Sequence, residues 1–308
     1  MNAATRLGAY GLGIVLAFGA AFGIAGAIVP DSAVAAWTQE SKASGHSSVN
    51  TKLSPVATNG LGLEANGYVL SPVSAPKVTG QPGTMSFKIH DETGTALTHY
   101  TTAHERDLHL IVTRIDGSNF RHVHPVLDQA TGTWSIPWEW NQAGSYRVFA
   151  DFTPAGSEAL TLSRTVSVAG DLVPVTQQPS RVAQVAGFTV SVQGQLVAGS
   201  ASNLTLNITR DGKPVTEVQP YLGAFGHLVA LREGDLAYVH AHAEGQKPVP
   251  GDTAGPEISF SVKAPTAGTY LLYLDFKVEN KVHTAQFVLD ASRPDSTTSP
   301  GTTHPDGH

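Results

Sequence analysis

Three histidines recur at the same spacing in two parts of the chain. Residues 109–124 read HLIVTRIDGSNFRHVH and residues 227–242 read HLVALREGDLAYVHAH, so the two segments align without a gap. The matched histidines are His109 with His227, His122 with His240, and His124 with His242. Such a repeat indicates a duplicated domain. Because imidazole is the commonest metal ligand among side chains, the repeat also suggests that these histidines share one task, the binding of a metal ion.

Each segment predicts a β-hairpin that carries its histidines at the end away from the turn. In the second copy, a turn at residues 233–235 joins a strand that begins at His227 to a strand that ends with His240 and His242. Side chains alternate along a strand, so the last two share a face, with Cα atoms about 7 Å apart. A register that sets His227 opposite one of them brings three imidazoles to one ion, whereas a one-residue slip turns His227 to the other face. The first copy follows the same logic around a turn at residues 116–117.

Four further side chains could complete either site. His104 lies in the loop that leads into the first copy, and Leu222 occupies its place in the second. His283 begins the last predicted strand of the second copy and could supply a fourth ligand there. Asp151 and Asp275 stand at equivalent positions and could be ligands, or acceptors that fix an imidazole tautomer. For these two aspartates a structural role is the simpler interpretation.

The ligand types restrict the identity of the metal. The chain has no cysteine, and Met85 is the only methionine after the initiator. Thiolate zinc sites and iron–sulfur clusters are therefore excluded, and soft-ligand Cu(I) sites are disfavoured. Neutral imidazoles, with an optional carboxylate, suit copper(II) or zinc(II), and the affinity order of the divalent metals favours copper. The cofactor predicted from the sequence is copper(II) or zinc(II).

The elements that must position these histidines are strands. Only 14% of the residues are charged, and short apolar or alternating runs are separated by Gly, Pro, Asp and Asn turns without a 3.6-residue period. These patterns predict an all-β fold, with two tandem immunoglobulin-like β-sandwich domains after an N-terminal transmembrane helix. The predicted divisions are an anchor or signal peptide at 1–30, a flexible stalk at 31–61, a sandwich at 62–170, a linker at 171–182, a second sandwich at 183–290 and a disordered tail at 291–308.

A second landmark is repeated in both predicted sandwiches. AGSYRVFADF at 143–152 matches AGTYLLYLDF at 267–276. A turn followed by Gly-x-Tyr at the start of a strand is typical of the tyrosine corner, in which the phenol bonds backbone near a strand corner. Tyr146 and Tyr270 are the predicted corner residues. Trp134, Trp138 and Trp140 precede the first corner, and we expect them to serve packing.

The N-terminus predicts the compartment. Residues 8–29 read GAYGLGIVLAFGAAFGIAGAIV, an uncharged run long enough to cross a bilayer as a helix. Arg6 before it favours a cytoplasmic N-terminus, so the expected location is the cell membrane, with one membrane pass and the bulk of the chain extracytoplasmic. A cleaved signal peptide is the alternative, with Ala33-Val34-Ala35 as its cleavage site, but the apolar run exceeds the usual length for that class.

A family resemblance emerges at the histidine segments. LHLIVTRIDGSNFRHVHP and PYLGAFGHLVALREGDLAYVHAHAE resemble segments of actinobacterial membrane-anchored exported proteins with paired immunoglobulin-like modules. These modules are similar to the YtkA-like and CopC-like group of extracytoplasmic copper-handling domains. The resemblance covers about 62–290 and implies a β-sandwich fold and copper binding. CopC-like sites use a free N-terminal amine and its histidine, and this chelate is absent here because the N-terminus belongs to the predicted anchor.

The function predicted from the sequence is that of a membrane-anchored, extracytoplasmic metal-binding protein that delivers copper(II) or zinc(II) to a protein partner. The alternative is a structural or protein-binding immunoglobulin-like module without metal, in which the histidines hydrogen-bond loops. A net charge of −6 with no basic stripe argues against nucleic acid as a partner. Three histidines with an open position can activate water. However, the chain shows no nucleophile motif, no HExxH and no general base beside the triads, so no enzymatic activity is expected.

Overall fold

The computed structural model describes residues 60–249 and 251–294, which belong to one compact unit, Ala57–His308. All regular secondary structure in these residues is β-strand, arranged as two β-sandwiches in tandem, so the predicted all-β immunoglobulin-like fold is confirmed. The predicted membrane segment at 8–29, most of the stalk and residues 295–308 of the tail lie outside the described residues. Within the described part of the chain, no helix has the length and apolar character needed to span a membrane.

The first sandwich consists of two antiparallel sheets around one apolar core. Its sheets have the strand orders β1-β2-β3-β7-β6 and β5-β4-β8-β9. Alternating side chains such as Phe87, Leu110 and Val148 are buried between them, which is the pattern expected for strands that bury one face. The strands are β1 Glu64–Ala65, β2 Tyr68–Leu70, β3 Gly83–His90, β4 Leu108–Arg114, β5 Arg121–Val123, β6 Val126–Asp128, β7 Thr133–Trp138, β8 Gly144–Phe152 and β9 Leu160–Val168.

The second sandwich repeats this plan with one difference in its pairing. Its strands follow one continuous hydrogen-bonded order, β10-β11-β13-β17-β16-β15-β18-β19-β12, with β14 paired to β13. Its core consists of buried side chains such as Leu206, Phe260 and Leu272. The strands are β10 Val182–Val185, β11 Phe188–Gln193, β12 Leu196–Val197, β13 Ala201–Arg210, β14 Lys213–Pro214, β15 His227–Arg232, β16 Tyr238–Ala243, β17 Glu257–Lys263, β18 Gly268–Val278 and β19 Lys281–Ser292.

Pro125 explains the difference between the two sandwiches. It separates β5, which pairs with β4, from β6, which pairs with β7. Proline has no N–H to donate to a ladder, so a strand tends to end beside it. The equivalent residue of the second copy is Ala243, and there β16 continues unbroken and pairs first with β15 and then with β17. In the first copy β5 therefore ends at Val123, just before this proline.

Both predicted tyrosine corners are present. The Tyr146 hydroxyl donates to the Gln142 carbonyl oxygen at 2.8 Å, and the Tyr270 hydroxyl donates to the Thr266 carbonyl oxygen at 2.9 Å. Trp140 lies beside the first corner and is buried. Its indole N–H donates to the Pro76 carbonyl oxygen, which agrees with the predicted packing role.

The two sandwiches pack against each other through the outer faces of equivalent sheets. The Phe120 ring stacks on Tyr273 with centroids 3.8 Å apart, and the Phe149 ring lies 5.8 Å from Tyr238. Phe120 is the sequence equivalent of Tyr238, and Phe149 that of Tyr273, so the two contacts are related by an approximate two-fold axis. The other buried residues of this inter-repeat cluster are Ile111, Val229, Leu231, Leu236, Leu271 and Val288.

The predicted linker is held against the first sandwich. The Arg114 guanidinium donates to the Val173 carbonyl oxygen at 2.9 Å and forms an ion pair with Asp116 at 2.7 Å. The Asp116 carboxylate in turn accepts the Val175 N–H at 3.1 Å. The second sandwich also extends beyond the predicted end at 290, because β19 continues to Ser292.

Candidate metal centre

The register of the first hairpin directs its histidines toward the second sandwich. In this register Ile111 lies opposite His122, and Leu110 lies opposite Val123. His109 and Ile111 therefore share a face with His122, and Ile111 on that face is part of the inter-repeat cluster. The one-residue slip that would have separated the histidines does not occur.

The three histidines of the first copy converge, as their spacing predicts. His109 Nδ1 lies 3.0 Å from His122 Nε2 and 3.2 Å from His124 Nε2. The three ring centroids are separated by 5.2, 5.1 and 5.0 Å. We call these residues, together with His227, the buried cluster.

His227 reaches this cluster from the other repeat. Its ring is nearly parallel to that of His109, with an interplanar angle of 10° and centroids 5.4 Å apart, and it lies 4.7 Å from the ring of His122. One ring nitrogen from each of these three histidines lies within 4.8 Å of the other two. His109 and His227 are sequence equivalents, so the approximate two-fold axis brings them face to face.

The second copy does not form the separate triad that its spacing predicts. Among the described residues, the ring contacts of His227 join it to His104, His109 and His122. No ring contact within the described part of the chain joins His227 to His240 or His242. The hairpin forms as predicted, with Val229 opposite His240, but the packing of one sandwich on the other turns the His227 ring toward the first copy.

Two hydrogen bonds determine which ring nitrogens of the cluster are free. His109 Nε2 lies 3.1 Å from the Ala103 carbonyl oxygen, and His122 Nδ1 lies 2.8 Å from Asp275 Oδ2. Carbonyl and carboxylate oxygens only accept, so both of these nitrogens must carry hydrogen. In the neutral rings, His109 Nδ1 and His122 Nε2 then hold lone pairs. Asp275 is itself oriented by the Thr284 hydroxyl, which donates to Oδ1 at 2.6 Å.

The free nitrogens point at each other. A distance of 3.0 Å between His109 Nδ1 and His122 Nε2 is repulsive when neither nitrogen carries a proton. The contact is stabilised only if a cation, either a proton or a metal ion, lies between them. Metal–nitrogen bonds of about 2.0–2.1 Å place two ligand nitrogens of a tetrahedral ion roughly 3.3 Å apart. The observed distances need only a small change to match this arrangement.

Burial keeps the cluster in the form that binds metal. Desolvation, followed by repulsion from His122, lowers the pKa of His109 to about 4. Desolvation also lowers the pKa of His124 to about 3 and that of His227 to well below its usual value. These imidazoles are therefore neutral at pH 7, and a neutral imidazole is the state that ligates transition metals.

His240 and His242 lie apart from the buried cluster and line a neighbouring pocket with a volume of about 300 Å³. His104 also lines this pocket, and its ring lies 5.5 Å from that of His227 in the cluster. Asp151 is a further residue of the pocket wall, and its Oδ1 accepts the Thr161 hydroxyl at 2.8 Å. His109 belongs to both the pocket wall and the buried cluster.

His283 is placed away from the cluster. Its ring lies 4.9 Å from Phe188 and 5.4 Å from Phe276, between aromatic side chains of the second sandwich. His283 lies near the start of β19, between these aromatic rings, so the hypothesis that it supplies a fourth ligand is wrong. The fourth imidazole of the cluster comes from the facing copy.

Sequence reasoning offered Asp275 as an acceptor that fixes an imidazole tautomer but preferred a structural role, and it did not predict the contact with His122 across the repeats. One signal could have revealed it, because an aspartate recurs in both copies within strands that are mostly apolar. On the same outer face lie Phe149 in one copy and Tyr273 in the other. Strands that are apolar on both faces indicate that the outer face is also covered.

The comparisons with known proteins include several solved structures to which this chain is similar. Bacterial invasin, an integrin-binding protein, is 12% identical with a TM-score of 0.22 over 74% of this chain and 39% of that one. A structure described as "Putative membrane anchored protein from Corynebacterium diphtheriae" is 10% identical with a TM-score of 0.23 over 77% and 61%. The Ig1-2 module of the Drosophila receptor protein tyrosine phosphatase DLAR is 9% identical with a TM-score of 0.20 over 74% and 98%.

The chain spans less than two thirds of the first two of these structures. No curated protein matches its sequence. A family described as Domain of unknown function (DUF8832) matches twice, at residues 63–170 and at residues 183–293. Each match covers one sandwich, and together they cover more than half of the sequence, so the chain belongs to the DUF8832 family and carries two copies of its domain.

Proposed function

We propose that this protein is an extracytoplasmic metal-binding protein that holds one copper(II) or zinc(II) ion in the buried cluster, between its two immunoglobulin-like repeats. The observation that carries this proposal is the 3.0 Å contact between His109 Nδ1 and His122 Nε2. Their other nitrogens are committed to oxygen acceptors, so both lone pairs face one point. His124 Nε2 and one nitrogen of His227 face the same region.

The donor set favours a borderline metal. Imidazole ligands suit Cu(II) and Zn(II), and Cu(II) binds such nitrogen sites more tightly than the other divalent first-row metals. Asp275 supports the site by bonding His122, which is the usual arrangement for a metal-bound histidine and raises its basicity. In the metal-free protein, a proton can occupy the same position between the facing nitrogens.

The cellular role in this proposal is metal binding and delivery outside the cytoplasmic membrane, with the apolar segment at 8–29 as anchor. Burial of the cluster favours retention of the ion over rapid exchange. Transfer to a protein partner then requires an opening movement between the two repeats, because the ligands come from both.

The test is isothermal titration of the full-length chain with Cu(II) and Zn(II). His304→Ala and His308→Ala are included in every sample to remove histidines of the C-terminal segment. We expect His122→Ala and His227→Ala each to weaken the tight site by about 100-fold or more, because each removes a ligand from a closed donor set. His99→Ala, an exposed histidine of the first sandwich, is the matched control.

Equal affinity in His122→Ala, His227→Ala and the control would overturn the proposal. That result would favour the alternative of a metal-free structural or protein-binding module, in which the cluster is a hydrogen-bonded contact between the repeats.

A further inference from the structure

The pocket beside the buried cluster brings together a second set of ligating side chains. It is lined by residues of both repeats, with His104 and Asp151 from the first and His240 and His242 from the second. In the described residues their ligating atoms do not all lie within 4.8 Å of one another, but the three histidines are exposed, so their rings can rotate. His109 separates this pocket from the buried cluster.

Asp151 and Asp275 are equivalent residues with different bonding. Asp275 accepts a hydrogen bond on each carboxylate oxygen, from His122 Nδ1 at 2.8 Å and from the Thr284 hydroxyl at 2.6 Å. Asp151 receives the matching hydroxyl bond from Thr161 at 2.8 Å. Within the described residues no hydrogen bond reaches its other oxygen.

The missing partner of Asp151 is His240, the equivalent of His122. Its Nε2 lies 3.5 Å from the Thr161 hydroxyl, too far for a good hydrogen bond, and the imidazole is exposed to the pocket. Burial raises the pKa of Asp151, and His240 gives the largest electrostatic contribution in the opposite direction. A carboxylate in this position gains from a cation placed between it and the imidazoles.

The two copies differ at one more position, and in the first copy the residue at this position lines the pocket. His104 and its equivalent Leu222 both adopt a left-handed backbone, with φ of 50° and 55°, so the turn itself is duplicated. Leu222 is buried in the second sandwich, whereas His104 is exposed at the pocket. Only one side of the approximate two-fold axis therefore carries an extra imidazole.

We infer that this pocket is a second metal site, in which Asp151, His240 and His242 bind a divalent transition-metal ion with His104 at its mouth. The inference extends the function proposed above from one ion to two. One carboxylate with imidazoles suits Zn(II) and Cu(II). The second site is weaker and exchanges faster than the buried one, because its rings must rotate into place and its ion is open to solvent.

Metal stoichiometry of the full-length chain tests this inference. Zn(II) is the probe, bound at equilibrium by dialysis and counted by elemental analysis, with His304→Ala and His308→Ala in every sample. We expect two ions per chain, one of them released by a moderate chelator. Asp151→Asn and His242→Ala each should bind one ion and keep the tight one, whereas His122→Ala should lose the tight ion. His99→Ala should bind two.

Circular dichroism and the melting temperature check that each variant is folded. His242 is exposed, so His242→Ala decides the question if Asp151→Asn is destabilised. The proposal of a second site would be overturned if His242→Ala bound two ions per chain, or if the parent chain bound only one. If the buried cluster does not bind metal, a different result is expected. His122→Ala would then bind as many ions per chain as the parent chain does.

Discussion

Asp275 is the residue that orients the buried cluster, because it commits His122 Nδ1 to carrying hydrogen. It lies in β18 of the second repeat and acts on a histidine of the first. Its side chain is 3% exposed and that of His122 is 0% exposed, so water does not compete for this bond. At the residue scale, the site therefore depends on a contact between positions that are distant in sequence.

Replacing Asp275 by Asn should weaken metal binding. An amide can donate toward His122 Nδ1, which favours the tautomer with hydrogen on Nε2, the nitrogen that faces the cluster. We expect the affinity of the tight site to fall by about 10- to 100-fold, as for other partners of metal-bound histidines. Titration with Zn(II) measures it. Asp290→Asn is the control, since this exposed aspartate of β19 bonds Thr269 only.

The depressed histidine pKa values predict loss of stability in acid. His109 and His124 have folded pKa values of about 4 and about 3, below the value of 6.5 for a free histidine. The unfolded chain therefore takes up protons first, and the free energy of unfolding falls as the pH drops from about 6.5 toward 4. Each group contributes a slope of up to about 1.4 kcal/mol per pH unit.

Urea unfolding between pH 7.5 and pH 4.5, with a chelator present, measures this slope. His124→Gln removes one of the titrating groups and should flatten the curve, whereas the exposed His99→Gln should leave it unchanged. Identical slopes in the parent and in His124→Gln would show that this histidine does not titrate with folding.

At the scale of elements, the register of the hairpins β4–β5 and β15–β16 places the histidines of each copy on one face. Val229 opposite His240 and Ile111 opposite His122 are equivalent pairs, so the duplication preserved the register in both copies. The tyrosine corners are the other conserved feature of the two sandwiches. The corner of the first sandwich ties the segment before β8 to β8, which carries Asp151. The corner of the second sandwich ties the segment before β18 to β18, which carries Asp275.

Removing a corner hydroxyl should cost stability in either sandwich. Tyr146→Phe and Tyr270→Phe each leave a backbone carbonyl without its donor, and we expect a loss of about 1 kcal/mol in the free energy of unfolding. Tyr68→Phe is the matched control, because the Tyr68 hydroxyl contacts Ser157 at the surface. Chemical denaturation measures all three, and equal stability of the corner variants and the control would contradict this assignment.

At the scale of the whole molecule, the two repeats form one metal site because their outer sheet faces pack together. Gly117 lies at this interface, in the turn between β4 and β5. Its carbonyl accepts the Tyr273 hydroxyl at 2.6 Å. An added Cβ would lie 2.3 Å from Leu271 Cδ1, so the close approach of the repeats requires glycine here.

Gly117→Ala should therefore separate the repeats. We expect a loss of about 1–3 kcal/mol from overpacking, beyond the cost of a left-handed alanine, and weaker metal binding because His227 and Asp275 move away from the first repeat. Gly94→Ala is a close control, since Gly94 has φ of 80° against 78° for Gly117 and nothing within 4 Å of its Cβ position. Unfolding and Zn(II) titration on both variants measure the difference.

The sequence by itself determined the elements of this protein. Alternating apolar runs, turn residues and the duplicated histidine spacing predict two β-sandwiches, their hairpins and the convergence of His109, His122 and His124, because strand periodicity and register are local properties. The tyrosine corners are local signals in the same sense, and both are confirmed.

Only the tertiary structure decided which copies share a site. His227 joins the first-copy histidines instead of His240 and His242, Asp275 bonds His122 across the repeats, and Asp151 lacks the equivalent second bond. The physical reason is the packing of two outer faces, which depends on side chains more than a hundred residues apart. Spacing along one hairpin carries no information about the surface that covers it.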